Sequence, residues 1–225
     1  MIKGKGLASW SGGKDSCLAL SRAQSSGLKI THLLTALDES GAKTRSHGVS
    51  KALIQSQGKS LGLQNEFISA SWKEYESIFI QKLGSLNAAG IDHAVFGDID
   101  LIAHRQWEEK VCAQAGMQAI LPLWGETRLT LVHEFLDAGF RAIVTCVDGR
   151  YLDQSFVGRE FDKQFINDLP ANVDACGENG EFHTFVFDGP NFSRPVPFKS
   201  IGKQTYISPP EYGSLTYHFD LLDVK

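Results

Sequence analysis

The chain has 225 residues, of which 42% are hydrophobic and 21% are charged. This composition is typical of folded proteins and excludes a disordered or fibrous chain, and the length suits one large domain or two small ones. Lys and Arg number 22 against 26 Asp and Glu, so the formal net charge is −4. Because a negative protein is repelled by a phosphate backbone, the composition carries no strong signal for nucleic-acid binding.

The cysteines and the N-terminal residues indicate the cellular compartment in which the protein is expected. The four cysteines form no Cys-x-x-Cys pair, which favours free thiols in a reducing environment. The sequence contains no run of about 18 apolar residues, the length of a membrane span, and the first residues lack the apolar stretch of a secretory signal. We therefore expect a cytoplasmic protein with no membrane partner.

Short apolar runs alternate with helical patterns in the first half of the chain. The predicted strands are residues 7–10, 31–37, 66–70, 93–97 and 118–121, and the predicted helices are residues 14–26, 49–61, 72–89 and 102–115. A glycine follows or ends each helical pattern, as is common at helix C-termini. Strands that alternate with helices predict a doubly wound parallel α/β sheet with right-handed crossovers.

The pattern changes after Pro122. We predict a helix at 127–138, a strand at 140–147, a short helix at 160–169, and strands at 183–188 and 215–222. Five of the seven prolines fall between residues 190 and 210. We therefore predict two domains, residues 1–121 and residues 122–225, of which the second is smaller and of mixed α+β type.

A glycine-rich loop joins the first strand to the first helix. Its sequence is Ser11-Gly12-Gly13-Lys14-Asp15-Ser16. This position in an α/β sheet presents backbone N–H groups and a positive helix end to an anion. Glycines allow the backbone to approach a phosphate, the two serine hydroxyls can donate to it, and Lys14 adds positive charge. Asp15 beside a polyphosphate suggests a bound Mg²⁺ ion, although the loop could also be an ordinary turn with a helix cap.

Polar residues also follow the fourth predicted strand. Gly97 and Asp98 end that strand, which neighbours the first strand across the switch point of the sheet. Arg105 and Glu108 lie three residues apart on the next helix, so they share a face. They are either an exposed ion pair or part of the same site.

A dense polar loop precedes the predicted strand at 183–188. It contains Glu178, Asn179, Glu181 and His183 around a Gly turn. One interpretation is a hairpin turn with solvated charges. The other is a substrate clamp, in which the carboxylates bind a metal, ammonium or a cationic substrate and His183 moves protons.

The loop Ser-Gly-Gly-Lys-Asp-Ser after a strand resembles the PP-loop of the ATP pyrophosphatase superfamily, whose members cleave ATP between the α and β phosphates and transfer AMP. The resemblance implies a HUP-type Rossmann-like sheet with strand order 3-2-1-4-5. It also implies that the loop holds the polyphosphate of ATP and that Leu34 and Thr35 on the second strand offer backbone groups to adenine.

Further segments resemble the diphthine-ammonia ligase family over residues 5 to 190. They are Gly-Asp-Ile at 97–99, the pattern His-Arg-x-Trp-Glu at 104–108, Pro-Leu-Trp-Gly-Glu-Thr-Arg at 122–128, Val-Gly-Arg-Glu-Phe-Asp at 157–162 and the Gly-Glu-Asn-Gly-Glu-Phe-His-Thr run from residue 177. His47 fits a further family element. The catalytic residues implied are Lys14, Asp15, Asp98, Arg105, Glu108, Glu178, Glu181 and His183. The nucleotide-binding residues implied are Ser11, Gly12, Gly13, Lys14, Asp15, Ser16, Leu34, Thr35, His47 and Gly97, with Asp15 at the metal. The substrate-binding residues implied are Trp124, Glu178, Asn179, Glu181 and His183.

The resemblance implies an ATP-dependent ligase. A diphthine-like carboxylate attacks the α-phosphorus of ATP, pyrophosphate leaves, and ammonium supplies the nitrogen of an amide. The implied cofactors are ATP and Mg²⁺, the implied acceptor is a modified residue of a translation elongation factor, and a homodimer is left open. Two alternatives stay open: an AMP-transferring enzyme that acts on a different carboxyl or carbonyl substrate, and an ATP or AMP sensor without turnover.

Overall fold

The computed structural model describes residues 2–45 and 47–225, and it places a parallel five-stranded sheet in the first half of the chain. The strands are β1 (Lys5–Ser9), β2 (Lys29–Leu37), β3 (Gln64–Ser69), β4 (His93–Val95) and β5 (Gln118–Ile120). Their order is β3-β2-β1-β4-β5. This order confirms the predicted doubly wound sheet, and it places the ends of β1 and β4 side by side.

Four helices connect these strands. They are α1 (Lys14–Ser25), α2 (Lys51–Leu61), α3 (Tyr75–Ala88) and α4 (Ile102–Gln114). The side chain of Ser50 caps α2 by accepting a hydrogen bond from Leu53 N, and Gly62 ends the helix with a φ of 69°. By contrast α1 begins at Gly13 without a side-chain cap, so the N-terminus of α1 does not receive the usual local oxygen.

The second half of the chain forms an antiparallel sheet with the order β7-β6-β9-β8. Its strands are β6 (Arg141–Asp148), β7 (Phe182–Asp188), β8 (Phe198–Ile207) and β9 (Thr216–Val224), and its helices are α5 (Arg128–Asp137) and α6 (Lys163–Asn167). Strand β8 was not predicted. Because nine of its ten residues are exposed, it lacks the alternation of buried and exposed residues that identifies a strand in sequence.

Two apolar clusters cover the faces of the parallel sheet. One contains Leu7, Leu34 and Phe79 and packs beneath α3 and α4. The other joins Ala8 of β1 to Phe185 of β7, so side chains from the first sheet and the second sheet share one core. A domain boundary at residues 121 and 122 therefore stays a prediction about sequence organisation. Among the described residues, no helix is both long and apolar enough to cross a membrane.

Candidate active site

A pocket of about 330 Å³ lies where β1, β4 and the N-terminus of α1 meet the loop before β7. The glycine-rich loop contributes Ser11, Lys14, Asp15 and Ser16, the end of β4 contributes Gly97 and Asp98, and the loop before β7 contributes Cys176, Glu178 and His183. His47 also lines the pocket. Tertiary structure thus gathers into one cavity residues that are more than 160 positions apart.

Close packing explains the glycines of the loop. Gly12 has a φ of 83°, which residues other than glycine rarely adopt. A Cβ atom on Gly13 would lie 2.5 Å from Cε1 of His47, and a Cβ atom on Gly97 would lie 2.9 Å from the backbone N of Ser16. Larger residues at these positions would push His47 or the end of β4 away from the start of α1.

The two serine hydroxyls of the loop hold the loop together. Ser11 Oγ accepts a hydrogen bond from the backbone N–H of Gly13 at 3.2 Å, and it lies 3.1 Å from Ser16 Oγ. Ser16 Oγ donates to the Gly13 carbonyl at 3.0 Å. These internal bonds shape the loop, whereas sequence analysis expected both hydroxyls to donate to phosphate.

Strand β7 and a buried glutamine support the loop from behind. Val186 N donates to the Gly12 carbonyl at 2.9 Å, and Lys14 N donates to Thr184 Oγ1 at 3.1 Å. Gln57 is fully buried; its Nε2 donates to the carbonyls of Gly12 and Val186, and its Oε1 accepts from Trp10 Nε1 at 2.9 Å. Sequence analysis missed Gln57 and Thr184 as site residues, although a glutamine on the apolar face of a helix was a usable signal.

Lys14 and Asp15 form a partly buried ion pair in the first turn of α1. The Nζ of Lys14 lies 2.7 Å and 2.8 Å from the two carboxylate oxygens of Asp15 and 3.5 Å from Cys176 Sγ. Lys14 is only 5% exposed. Burial alone lowers the pKa of Lys14, but Asp15, Cys176 and Glu178 raise it, and the net pKa lies above its ordinary value. Lys14 is therefore a fixed positive charge at every physiological pH.

Acidic groups converge on the other side of Asp15. Ligand atoms of Asp15, Cys176 and Glu178 lie within 4.8 Å of one another. Burial and then the charge of Asp15 raise the pKa of Glu178 to about 7, which is the effect expected when two carboxylates share a site. Two carboxylate oxygens fit a hard cation such as Mg²⁺, whereas the thiol of Cys176 does not.

Two histidine rings close one wall of the pocket. The rings of His47 and His183 are 4.6 Å apart, and Nδ1 of His47 lies 2.9 Å from the Thr184 carbonyl. Burial, followed by the charges of His47 and Lys14, lowers the pKa of His183 to about 3. Burial also lowers the pKa of His47. His183 is thus uncharged at neutral pH, and the proton-moving role offered for it by the sequence stays a prediction.

The polar loop before β7 divides into pocket residues and structural residues. Glu178 and His183 line the pocket, but Glu181 is 1% exposed and points into the loop. The carboxylate of Glu181 accepts hydrogen bonds from Asp174 N at 3.2 Å, Asn179 N at 2.9 Å and Asn179 Nδ2 at 2.8 Å. Neither Glu181 nor Asn179 lines the pocket, because these two residues build the turn; their contact with a substrate stays a prediction.

Of the site residues predicted after β4, some line the pocket and others do not. Asp98 lines the pocket, whereas Arg105, Glu108 and Trp124 do not. Arg105 pairs with Glu109 at 2.7 Å and lies over the ring of Trp124 at 5.0 Å. An exposed pair between Arg105 and Glu108, one of the two alternatives left open by the sequence, does not form because the Glu108 side chain turns into the protein, where Glu108 is 4% exposed.

The predicted adenine contacts on β2 also differ from the structure. The carbonyl of Leu34 accepts a hydrogen bond from Trp10 N at 2.8 Å, and Thr35 pairs with Phe67 of β3. Both residues are buried and neither lines the pocket. The carbonyl of Leu34 is therefore already engaged, and contact of β2 with adenine stays a prediction.

Arg128 is a site-forming residue that sequence analysis did not single out. At the start of α5, its guanidinium binds both carboxylate oxygens of Asp100, at 2.7 Å and 2.9 Å, and one oxygen of Asp174, at 2.7 Å. Hydrogen bonds to Asp100 are the main cause of a raised pKa for Arg128. Arg128 thus ties the loop after β4 to the loop before β7, and these two loops form opposite walls of the pocket.

Two family models match successive parts of the chain. Residues 4–119 match the family described as diphthamide synthase N-terminal domain, and residues 127–208 match the diphthamide synthase C-terminal domain. The chain belongs to the diphthamide synthase family. These matches confirm the family resemblance read from the loop and strand-end segments.

Three relatives show how far the similarity extends. The diphthine–ammonia ligase of Danio rerio is 24% identical over 214 residues, which cover 83% of this chain and 83% of that protein. The Schizosaccharomyces pombe protein of the same name is 24% identical over 83% of this chain but only 34% of its own length. The Bos taurus protein of that name is 29% identical over 39% of this chain and 35% of its own length. The matched segment is thus about a third of the length of the latter two relatives.

A solved structure, titled a predicted subunit of tRNA methyltransferase from Methanocaldococcus jannaschii, is also similar. It is 21% identical, covers 62% of this chain and 80% of its own chain, and has a TM-score of 0.42.

Proposed function

We propose that this protein is an ATP-dependent ligase that activates a carboxylate by adenylation and converts it to an amide with ammonia. One observation carries the proposal. In a chain of the diphthamide synthase family, the start of α1 with buried Lys14 faces the same pocket as Glu178 and His183 from the other sheet. A phosphate site and an acceptor site therefore share one cavity.

The phosphates of ATP bind at the glycine-rich loop. The N-terminus of α1, where Gly13 provides no side-chain cap, supplies the positive end of the helix dipole and the backbone N–H groups that follow Lys14, whose own N–H donates to Thr184 Oγ1. Lys14 neutralises negative charge that develops on the departing pyrophosphate. Because its charge does not depend on pH in the physiological range, this stabilisation requires no proton transfer.

Asp15 and Glu178 are the residues that would hold Mg²⁺. Their carboxylates lie close together in the pocket, and their mutual repulsion favours a cation between them and the phosphates. When bound, Mg²⁺ compensates the charge of the polyphosphate and favours its departure. Both carboxylate oxygens of Asp15 accept hydrogen bonds from Lys14, so the residue that would help to hold the ion is itself oriented by a fixed positive charge.

The reaction needs no enzyme nucleophile. A carboxylate oxygen of the acceptor bonds to the α-phosphorus while the bond to the β-phosphate oxygen breaks and pyrophosphate leaves. Ammonia then bonds to the acyl carbon and AMP departs with the oxygen. Catalysis consists of orientation and charge neutralisation. The neutral ring of His183 lines the part of the pocket that receives the carboxylate substrate and can form a hydrogen bond with it.

We further propose that the acceptor is the carboxyl group of diphthine on a translation elongation factor, encountered in the cytoplasm. The names of the relatives support this acceptor. The chemistry in the pocket is the same for any carboxylate that reaches the α-phosphorus, so the acceptor must be identified by experiment.

Product analysis tests the proposed function. The protein is incubated with ATP, Mg²⁺, ammonium and an elongation factor that carries diphthine, and nucleotides are separated by chromatography. We expect AMP and pyrophosphate in step with amide formation. Lys14→Ala and Gly13→Val should each lower ATP affinity at least tenfold, about 1.4 kcal/mol, because one removes the charge and the other displaces His47.

Lys82→Ala is the matched control, because Lys82 pairs with Glu66 away from the pocket at 2.9 Å. Accumulation of ADP would assign the protein to another reaction class. Unchanged ATP affinity in both the Lys14 and Gly13 variants, measured by calorimetry, would contradict phosphate binding at the loop.

A further inference from the structure

A buried carboxyl group lies below the pocket on α4. Glu108 is only 4% exposed, although it carries an ionisable side chain. Residues four and seven positions apart share a helix face, so Glu108 lies on the face of α4 that also carries His104 and Leu101. His104 and Leu101 line the pocket and Glu108 does not, which places its carboxyl group one layer deeper.

The neighbours of Glu108 are acidic. Its carboxyl group shares a hydrogen bond with Asp98, while its Oε2 atom has no hydrogen-bond partner. The charges that act on it come from Asp98 and Glu109, and both are negative. The other titratable groups that face it are Tyr75 of α3, beside Arg45, and Cys112 of its own helix. This environment disfavours a charged Glu108.

A hydrogen bond between two carboxyl groups requires one shared proton. Burial, the hydrogen bond to Asp98 and the charge of Asp98 raise the pKa of Glu108 to about 10. Glu108 therefore carries the proton at neutral pH and acts as the donor. Asp98 is the acceptor.

Asp98 is held by a second contact at the edge of the pocket. Its Oδ1 lies 2.7 Å from Nδ1 of His104, and its side chain is 26% exposed. Asp98 thus has one partner in the protein interior and one near the surface. Its carboxylate is oriented in the pocket at the end of β4, beside the glycine-rich loop at the end of β1.

A carboxylate in this position suits hydroxyl donors. It repels phosphate, which the start of α1 and Lys14 attract instead. In other α/β nucleotide-binding folds, an acidic residue near a strand end binds ribose hydroxyls. We propose that Glu108 is a positioning residue that donates its carboxyl hydrogen to Asp98 and thereby holds Asp98 as the acceptor for the ribose hydroxyls of ATP. The inference rests on the proposed function for the identity of the nucleotide.

Calorimetry with ATP and 2′,3′-dideoxy-ATP tests this inference. The wild-type protein should bind ATP about tenfold more tightly than the dideoxy analogue, as expected for hydrogen bonds to a charged acceptor. Glu108→Leu should remove most of this preference. Glu108→Gln should keep it, because the amide donates a hydrogen bond without charge. Glu109→Gln, an exposed neighbour on the same helix, is the matched control and should behave as wild type.

Infrared spectroscopy tests the proton directly and does not depend on nucleotide or on a folded Leu variant. The wild-type protein should show the carbonyl band of a protonated carboxylic acid at pH 8.5, where Glu178 is ionised and Glu108 is still protonated. Glu108→Gln should lose this band and Glu109→Gln should keep it. Absence of this band in wild type, equal losses of ATP and dideoxy-ATP affinity in Glu108→Leu, or a Glu108→Gln variant that behaves like Glu108→Leu would overturn the inference.

Failure of the proposed function gives a different pattern. A protein that prefers ATP over the dideoxy analogue as expected but forms ADP would contradict the ligase and leave the role of Glu108 intact. A wild-type protein that binds neither nucleotide would overturn both the ligase and the ribose assignment.

Discussion

Gln57 shows how one buried side chain supports the glycine-rich loop before α1. Its amide joins three segments that are distant in sequence: β1 through Trp10, the loop through Gly12, and β7 through Val186. All of its polar atoms have partners, so the amide is stable in an apolar surrounding. The shape of the loop therefore depends on a residue that contacts no ligand.

We predict that Gln57→Leu lowers both the stability of the protein and its affinity for ATP. The change leaves Trp10 Nε1 and the Val186 carbonyl without partners, which costs about 2 kcal/mol or more of unfolding free energy. Chemical denaturation and calorimetry measure the two effects. Gln55→Leu, at an exposed position of the same helix, is the control, and equal behaviour of the two variants would contradict the supporting role of Gln57.

The pocket histidines make stability depend on pH. His183 has a pKa of about 3 in the folded protein, against 6.5 ordinarily. As pH falls from about 6.5 toward 3, the unfolded chain takes up a proton that the folded protein does not, so the unfolding free energy decreases, by at most about 1.4 kcal/mol per pH unit for one group. His47 acts in the same direction because its pKa is also lowered.

We predict that His183→Gln weakens this dependence on pH. Denaturation curves between pH 7 and pH 4 should show a smaller loss of unfolding free energy than in wild type. His133→Gln, at an exposed position of α5, should leave the slope unchanged. A His183→Gln slope as steep as that of wild type would mean that the burial of His183 does not control acid stability.

Among the elements, the start of α5 organises the pocket walls. Arg128 at this position connects the loop after β4 with the loop before β7 through Asp100 and Asp174. A guanidinium can bind two carboxylates in fixed directions, which an ammonium cannot. Arg128 therefore links the two loops directly.

We predict that Arg128→Met loosens the loop at residues 174–181 and weakens ATP binding, and that Arg128→Lys restores only part of the loss. Hydrogen exchange followed by mass spectrometry should show faster exchange in that loop. Arg141→Met removes a comparable exposed pair with Glu160 away from the pocket and should leave the loop unaffected. Unchanged exchange at 174–181 in Arg128→Met would rule out the connecting role.

Across the full chain, the two sheets depend on a shared core. Phe185 of β7 is fully buried in the cluster that also contains Ala8 of β1, and its neighbours Thr184 and Val186 bond to the phosphate loop. Phe79 belongs to the cluster on the other face of the parallel sheet. Because one core spans both sheets, neither sheet keeps its buried surface when the other unfolds.

We therefore predict one cooperative unfolding transition. Phe185→Ala and Phe79→Ala should each shift that transition, with a cost of about 3–5 kcal/mol for removal of a buried phenyl ring. Calorimetry measures the number of transitions. Two separate transitions, with each variant affecting only one of them, would instead support independent domains divided near residue 121.

Much of the candidate site could be located from sequence because loop position follows from local patterns. Lys14, Asp15, Asp98, Glu178 and His183 were all placed at strand ends or adjacent loops, and all line the pocket. Local patterns could not distinguish a pocket residue from a structural residue of the same type nearby. Glu181 differs from Glu178 only in the direction of its side chain, which depends on backbone donors at Asp174 and Asn179.

The sequence by itself determined the alternation of strands and helices, the parallel sheet and the phosphate loop, because these features follow from short-range periodicity and from glycine chemistry. Tertiary structure alone decided that β7 supports the loop, that Gln57 and Arg128 connect distant segments, and that Glu108 turns inward beneath Asp98. Strand β8 also required the tertiary fold, since its pairing with β9 and not an apolar face holds it in place. Such contacts depend on residues far apart in the chain, whose proximity no local pattern encodes.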